Sequence, residues 1–169
     1  MHPLVQLAKE AVEKYVRLGT IREVREEELT SELRQRAGVF VCLKIDGVLR
    51  GCIGTFQPQE PTIAHETVRN AISAATCDPR FTCVRAGELP VIEYTVDVLT
   101  PPEPVKDAGK LDPKRYGVIV QAGARRGLLL PNLEGVDTVE YQISIAMQKA
   151  GMQPGTPVSL YRFEVKRFH

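Results

Sequence analysis

Cys52 is the residue whose type and surroundings most favour chemistry. It lies in the segment Leu49–Gly54, two residues after Arg50. Residues two apart in a strand share one face of a sheet, and a guanidinium beside a cysteine stabilises the thiolate and lowers the pKa of the thiol. Cys52 is therefore a candidate nucleophile, with Arg50 as its thiolate stabiliser and as a clamp for an anion. The other interpretation is that Cys52 is a small buried side chain and Arg50 a surface charge.

The strand that carries Cys52 belongs to a predicted β-hairpin. Two β-rich runs, 39–45 and 48–53, flank the dipeptide Asp46-Gly47, which is typical of a two-residue hairpin turn. Counting from that turn places Cys42 and Cys52 on opposite faces of the sheet. The predicted register thus excludes a disulfide between them unless a bulge shifts it.

Two glycines, Gly51 and Gly54, lie close to Cys52 on either side. Glycine weakens a strand, and a common reason for its presence is that a ligand or another backbone comes close. Both glycines are therefore candidates for ligand binding.

Two further residues could carry protons for Cys52. His65 lies near the start of a predicted helix, and Glu93 lies on the polar face of a predicted strand. Nothing in the sequence establishes that either residue meets the cysteine, and a solvated side chain is the alternative for both. Arg80 follows Asp78-Pro79 and is either a fixed anion-binding side chain or an ion-pair partner of Asp78.

Hydrophobic periodicity predicts an α+β fold built from helices and mostly antiparallel strands. The predicted helices cover 4–18, 61–75 and 139–150; the predicted strands cover 39–45, 48–53, 91–99, 117–122, 127–130 and 158–165; and 103–114 is predicted to be a loop. The order has no regular alternation of strand and helix, which disfavours a parallel sheet.

Composition excludes several classes of protein. A chain of 169 residues with 43% hydrophobic and 25% charged residues is typical of one globular domain, here 1–169. A net charge of +1 and 6% aromatic residues disfavour nucleic-acid binding through the Arg125-Arg126 turn. No apolar run approaches the roughly 18–20 residues of a membrane span or forms a signal peptide, so we expect a cytoplasmic protein without membrane association.

The four cysteines are expected to be reduced, since disulfides are rare in the cytosol. Without a Cys-x-x-Cys pair or histidines at ligand spacing, the sequence does not favour a metal site. No glycine pattern indicates a nucleotide site, and neither a substrate nor a cofactor can be named from the residues.

The chain resembles the AMMECR domain family, whose prokaryotic members are called AmmeMemoRadiSam system protein A. The resemblance rests on several motifs in order along nearly the whole chain. They are Gly38-Val39-Phe40-Val41, the hexapeptide Leu49-Arg50-Gly51-Cys52-Ile53-Gly54, Asn70-Ala71 with Ala74-Ala75, Asp78-Pro79-Arg80-Phe81, Ile92-Glu93, Gly127-Leu128-Leu129-Leu130-Pro131 and Lys149-Ala150-Gly151.

The resemblance implies two unequal lobes, with an antiparallel sheet flanked by helices and a cleft where the hexapeptide lies. It also implies two partners, a Memo protein that looks like a ring-opening dioxygenase and a radical-SAM protein, but no established reaction. Two hypotheses remain open. The chain is either a cysteine-dependent enzyme acting on a small anionic molecule held by Arg80, or a non-catalytic module that binds a ligand or these partners.

Overall fold

The fold is α+β, as predicted, and consists of helices packed on antiparallel sheets. A computed structural model describes residues 1–169. The α-helices are α1 (Pro3–Leu18), α2 (Ile63–Thr76) and α3 (Val139–Lys149). The strands are β1 (Val39–Ile45), β2 (Val48–Thr55), β3 (Ile92–Leu99), β4 (Glu103–Val105), β5 (Gly117–Ala122), β6 (Arg125–Leu129), β7 (Ser159–Phe163) and β8 (Val165–Phe168).

The chain divides into two compact units of unequal size. The first unit comprises 1–99 with 166–169, and the second comprises 100–165. Each unit has its own four-stranded sheet. The cleft expected between lobes, and the assignment of 1–169 to one domain, stay predictions.

The first unit packs α1 and α2 on one face of a sheet with strand order β2-β1-β3-β8. Alternate residues of β1 (Val39, Val41 and Leu43) are fully buried in the same core as the apolar stripes of the two helices. Apolar residues that recur every two positions in the strand and every 3.6 positions in the helices thus pack in one core. This periodicity is why these elements could be predicted. We call the face of this sheet that is turned away from α1 and α2 the outer face.

The helix α2 lies unusually close to strand β2. A Cβ atom added to Gly51 would lie 2.2 Å from the backbone oxygen of Ala74, so only glycine fits there without movement of the helix. Ala71, Ala74 and Ala75 are buried, and their small side chains allow the same approach. The motif residues of β2 and α2 are therefore complementary parts of one helix–strand contact.

The second unit repeats this arrangement with different residues. Its sheet has the order β4-β7-β5-β6, and α3 packs on β5 and β6. A Cβ atom added to Gly127 would lie 1.9 Å from the backbone oxygen of Ala146 in α3. A glycine in a strand again admits the backbone of a helix.

Two parts of the sequence-based prediction need correction. The segment 103–114 is not wholly a loop, because β4 pairs with β7 there. The predicted terminal strand is in fact two strands, β7 and β8, which belong to different sheets. Alternation of apolar and polar residues continues across the break at Glu164, so the pattern alone could not reveal it.

The glycine at the helix–strand contact gives a stability prediction. We expect Gly51→Ala to lower the free energy of unfolding by about 2 kcal/mol, because the added methyl group meets backbone rather than a movable side chain. Gly87→Ala is the matched control, since no atom lies within 4 Å of its added Cβ, and its effect should stay within about 0.5 kcal/mol. Urea denaturation of both variants measures the difference. Equal effects would contradict the packing role of Gly51.

Candidate functional site

The hairpin that carries the hexapeptide has the predicted turn but not the predicted register. Both turn residues have positive φ, 50° at Asp46 and 75° at Gly47, as a type I′ turn requires. Pairing follows the prediction from Ile45 to Lys44 and then shifts by one residue at a β-bulge. A hairpin without the bulge would pair Leu43 with Arg50. With the bulge Leu43 pairs with Gly51, so the predicted placement of Cys42 and Cys52 on opposite faces was wrong.

The shifted register joins two cysteines that were predicted to be apart. Cys42 pairs directly with Cys52, their Cα atoms are 4.1 Å apart, and their sulfurs form a disulfide. Gly51, the residue before Cys52 in β2, faces α2. Because successive side chains in a strand point to opposite faces, Cys52 and its partner Cys42 both lie on the outer face. The expectation of reduced thiols is therefore wrong for this pair, whereas Cys77 and Cys83 are free and exposed in the structure.

A buried carboxylate braces the hexapeptide at the edge of the sheet. The Cys52 N–H donates to Asp78 Oδ2 at 3.0 Å, and β2 is the edge strand, so this amide has no strand partner. Arg80 binds the same carboxylate with two nitrogens, Nε to Oδ1 at 3.0 Å and Nη2 to Oδ2 at 2.8 Å. These hydrogen bonds, first of all that from Arg80, hold the pKa of Asp78 far below its usual range. Of the two interpretations of Arg80, the structure supports the ion pair.

Arg50 is also engaged within the chain. Its Nε donates to Glu88 Oε1 at 2.8 Å, and the side chain is only 15% exposed. Its Nη1 and Nη2 donate to the carbonyl oxygens of Thr82 and Cys83. The guanidinium therefore links β2 to the segment before β3. Its hydrogen bonds to Glu88 also lower the pKa of that carboxyl. Its predicted role beside a Cys52 thiolate has no thiolate to act on while the disulfide is formed.

The two glycines flanking Cys52 each accommodate another part of this chain. Gly51 admits the backbone of Ala74, which is the second of the two reasons expected for glycine in a strand. Gly54 lies under the ring of Phe40, whose Cγ atom would be 2.1 Å from an added Cβ. Internal packing therefore accounts for both residues, and a role in ligand binding stays a prediction.

The structure does not bring His65 to Cys52. His65 lies on α2, which packs on the face of the sheet opposite the outer face. Its Nδ1 is 2.7 Å from the hydroxyl oxygen of Thr62, the N-cap residue of the helix. The imidazole lines a groove of about 640 Å³ with apolar residues of α2 such as Val68 and Ile72. The role of His65 as a base for Cys52 finds no support in this placement.

Glu93 lies on the outer face and takes no part in the ion pair that Asp97 of the same strand forms. It is exposed and pairs across the sheet with Lys44, two residues from Cys42 in β1. Asp97 on the same strand is buried and accepts two hydrogen bonds from Arg167, at 2.8 and 2.7 Å. The two carboxylates therefore do not act as a pair. The role of Glu93 as a proton carrier for Cys52 stays a prediction.

Sequence reasoning missed the polar residues that hold the hairpin in place. Glu66 is completely buried on α2 and accepts hydrogen bonds from the backbone amides of Gln59 and Glu60 after β2. Asn70, one turn further, donates to the carbonyl of Val39 at 2.8 Å and to the hydroxyl of Thr55. The available signal was that Glu66 and Asn70 lie four residues apart within the apolar stripe of the helix.

The structure offers neither a cluster of metal-ligating side chains nor a helix that could span a membrane. No group of three or more histidine, cysteine, aspartate or glutamate side chains is placed to hold a metal ion. No helix is both long enough and apolar enough to cross a bilayer.

The brace at Cys52 predicts a loss of stability when its carboxylate is neutralised. We expect Asp78→Asn to lower the free energy of unfolding by about 2 kcal/mol at pH 7, because an amide cannot accept all of these charged hydrogen bonds. The pKa of Asp78 is lower in the folded protein than in the unfolded chain, where it is about 3.9, so the ionised carboxylate stabilises the fold at pH values above about 3.9. This stabilisation is lost as the pH falls below that value. The wild type should therefore lose more stability than the variant between pH 5 and pH 2.

Urea denaturation at both pH values checks this prediction. Asp137→Asn is the control, because Asp137 is 73% exposed and its ion pair with Lys114 contributes little. A variant as stable as the control, with the acid dependence of the wild type, would contradict the brace.

Comparisons with known proteins agree with the resemblance of the motifs. The chain is 53% identical over 169 residues to a protein from Thermotoga maritima, covering 99% of this chain and 97% of that protein. It is 48% identical to a protein from Clostridium acetobutylicum over 98% of this chain, but it spans only 35% of that longer protein.

A solved structure has the same fold. The crystal structure of an uncharacterised protein from Pyrococcus horikoshii superposes with a TM-score of 0.90 at 34% identity, covering 97% of this chain and 88% of that one. The model of the AMMECR1 family matches residues 5–168, which include every motif described above. The chain belongs to the AMMECR1 family.

Proposed function

We propose that this chain is a non-catalytic binding module that assembles with Memo-like and radical-SAM proteins. One observation carries the proposal: the charged groups around the hexapeptide are bound to one another. Arg50 binds Glu88, and Arg80 binds Asp78. Covalent catalysis by a cysteine needs a free thiol that a base or a nearby cation activates. The disulfide leaves Cys52 without a free thiol, and the Arg50 cation is paired with Glu88.

The outer face of the first sheet is the proposed docking surface. It carries partly exposed side chains, among them Phe40, Thr95 and the disulfide, with the exposed Glu93 and Lys44 beside them. Protein–protein interfaces are enriched in aromatic side chains and have a polar rim, and Phe40 with the charged residues around it is consistent with this composition. Ion pairs that fix the edge of this sheet keep its shape constant, which reduces the entropy lost on binding.

The identity of the partners rests on the family resemblance alone, whereas the length of one relative bears on whether such a domain occurs in larger chains. The chain spans 35% of the Clostridium acetobutylicum protein, so this domain also occurs joined to a longer polypeptide. Joining two units in one chain raises their effective concentration for each other, as is expected of units that act together.

Binding measurements with purified proteins test the proposal. The Memo-like and radical-SAM proteins of the same genome are each titrated against this chain by calorimetry. We expect binding to at least one of them, and a loss of at least tenfold in affinity for Glu93→Lys, since reversal of a charge in an interface opposes complementarity. Glu134→Lys is the control, because Glu134 is exposed and lies in the second unit.

A double variant separates this function from cysteine chemistry. Cys42→Ser with Cys52→Ser removes the disulfide from the docking surface, so we expect a loss of affinity that is smaller than that of Glu93→Lys if the cysteines do no chemistry. Absence of binding to both proteins, or equal effects of the two charge reversals, would overturn the proposal.

Cysteine-dependent catalysis on a small anionic molecule is the second candidate function. It is favoured by the partial exposure of the disulfide, which a reductant can reach, and by the 57% exposure of the Arg80 side chain beside Phe81. Turnover that requires prior reduction and disappears in Cys52→Ser would establish it in place of the binding module.

A further inference from the structure

Two cysteines outside the hexapeptide lie at the ends of one short loop. Cys77 and Cys83 are both exposed and free. The N–H of Val84 donates to the carbonyl of Ala75 at 2.8 Å, so the chain turns back onto the end of α2. This hydrogen bond brings the residues on either side of the loop next to each other.

Both thiols contact the same residue, Thr76. The Cys83 Sγ donates to the Thr76 carbonyl oxygen at 3.4 Å, and the Cys77 Sγ is 3.4 Å from the Thr76 hydroxyl oxygen. That hydroxyl donates its own proton to the carbonyl of Ile72 at 2.7 Å, so the Cys77 thiol is the donor in the second contact. The two sulfurs are therefore held around one side chain and its own carbonyl group.

The backbone of the loop is fixed by contacts that involve neither sulfur. Asp78, next to Cys77, binds the amide of Cys52 and the guanidinium of Arg80. Arg50 donates to the carbonyl oxygens of Thr82 and Cys83 at 2.9 and 3.3 Å. The thiols are thus open to reagents while the chain that carries them is held in place.

We propose that Cys77 and Cys83 form a redox-active dithiol that closes to a second disulfide in the presence of a low-molecular-weight disulfide such as glutathione disulfide. One thiolate attacks a sulfur of the reagent and releases a glutathione thiolate, which leaves a mixed disulfide on the protein. The second cysteine thiolate then displaces the remaining glutathione. Two electrons and two protons pass from the dithiol to the reagent, giving one protein disulfide and two molecules of glutathione.

Closure would act on the hexapeptide through the loop. The loop contains Asp78, whose carboxylate fixes the Cys52 amide, and its end is bound by Arg50. A covalent link between Cys77 and Cys83 would therefore restrict the segment that braces β2. The redox state of Cys77 and Cys83 thus regulates the edge of the first sheet, and this regulation is separate from the binding function proposed above.

Peptide mapping without reduction tests the proposal, because trypsin places each cysteine on its own peptide. Cleavage after lysine and arginine yields 37–44 with Cys42, 51–69 with Cys52, 70–80 with Cys77 and 81–85 with Cys83. Full-length native protein is incubated with glutathione disulfide, its remaining thiols are blocked, and it is digested. We expect most of peptide 70–80 to be linked to peptide 81–85, and reduction to release both.

Two single variants serve as controls. In Cys77→Ser or Cys83→Ser the remaining thiol should carry one glutathione, since no second cysteine is present to displace it. Both residues are exposed, so neither substitution removes a buried contact. Two independent glutathione adducts on the wild type, or unmodified thiols at both positions, would overturn the proposal.

Discussion

The close approach of helix α2 to strand β2 is the contact on which the rest of the first unit depends. The backbone of Ala74 occupies the space that a side chain at residue 51 would fill, and this requires glycine in the strand. Since the helix lies so close, the segment after it can reach the free edge of β2. There the carboxylate of Asp78 accepts a hydrogen bond from the amide of Cys52, and Glu88 accepts one from the guanidinium of Arg50. The residues of the hexapeptide thus pack β2 against α2 and fix the edge of the sheet.

This account changes the meaning of the residues that first suggested chemistry. A cysteine beside an arginine indicates a stabilised thiolate only if both side chains are free and share a face. Here Cys52 is bonded to Cys42, and Arg50 lies at the bulge and is bound by Glu88. The same residue types in the same spacing therefore serve to fix an edge strand, whose free amides would otherwise pair with another chain.

Much of the fold could be predicted from local patterns, and the site could not. The turn at Asp46-Gly47 and the boundary of α1 at Gly19, which has a φ of 68°, are set by residues with strong local preferences. The bulge is not, since it belongs to the pairing of β2 with β1, and its result is that Gly51 faces Ala74 of α2. The outcome for Cys42 and Cys52 depended on that one extra residue. Partners distant in sequence, such as Glu88 for Arg50, leave no periodic signal.

Site-by-site alkylation of the native protein tests most directly whether the hexapeptide lacks a free nucleophile. The folded protein is treated with iodoacetamide across a range of pH values, first without and then with a reductant, and each cysteine peptide is quantified by mass spectrometry. The structure predicts that Cys42 and Cys52 take up no label before reduction at any pH, and that both do so afterwards. Rapid labelling of Cys52 in unreduced protein at neutral pH would contradict the account and show that Cys52 is a reactive thiol.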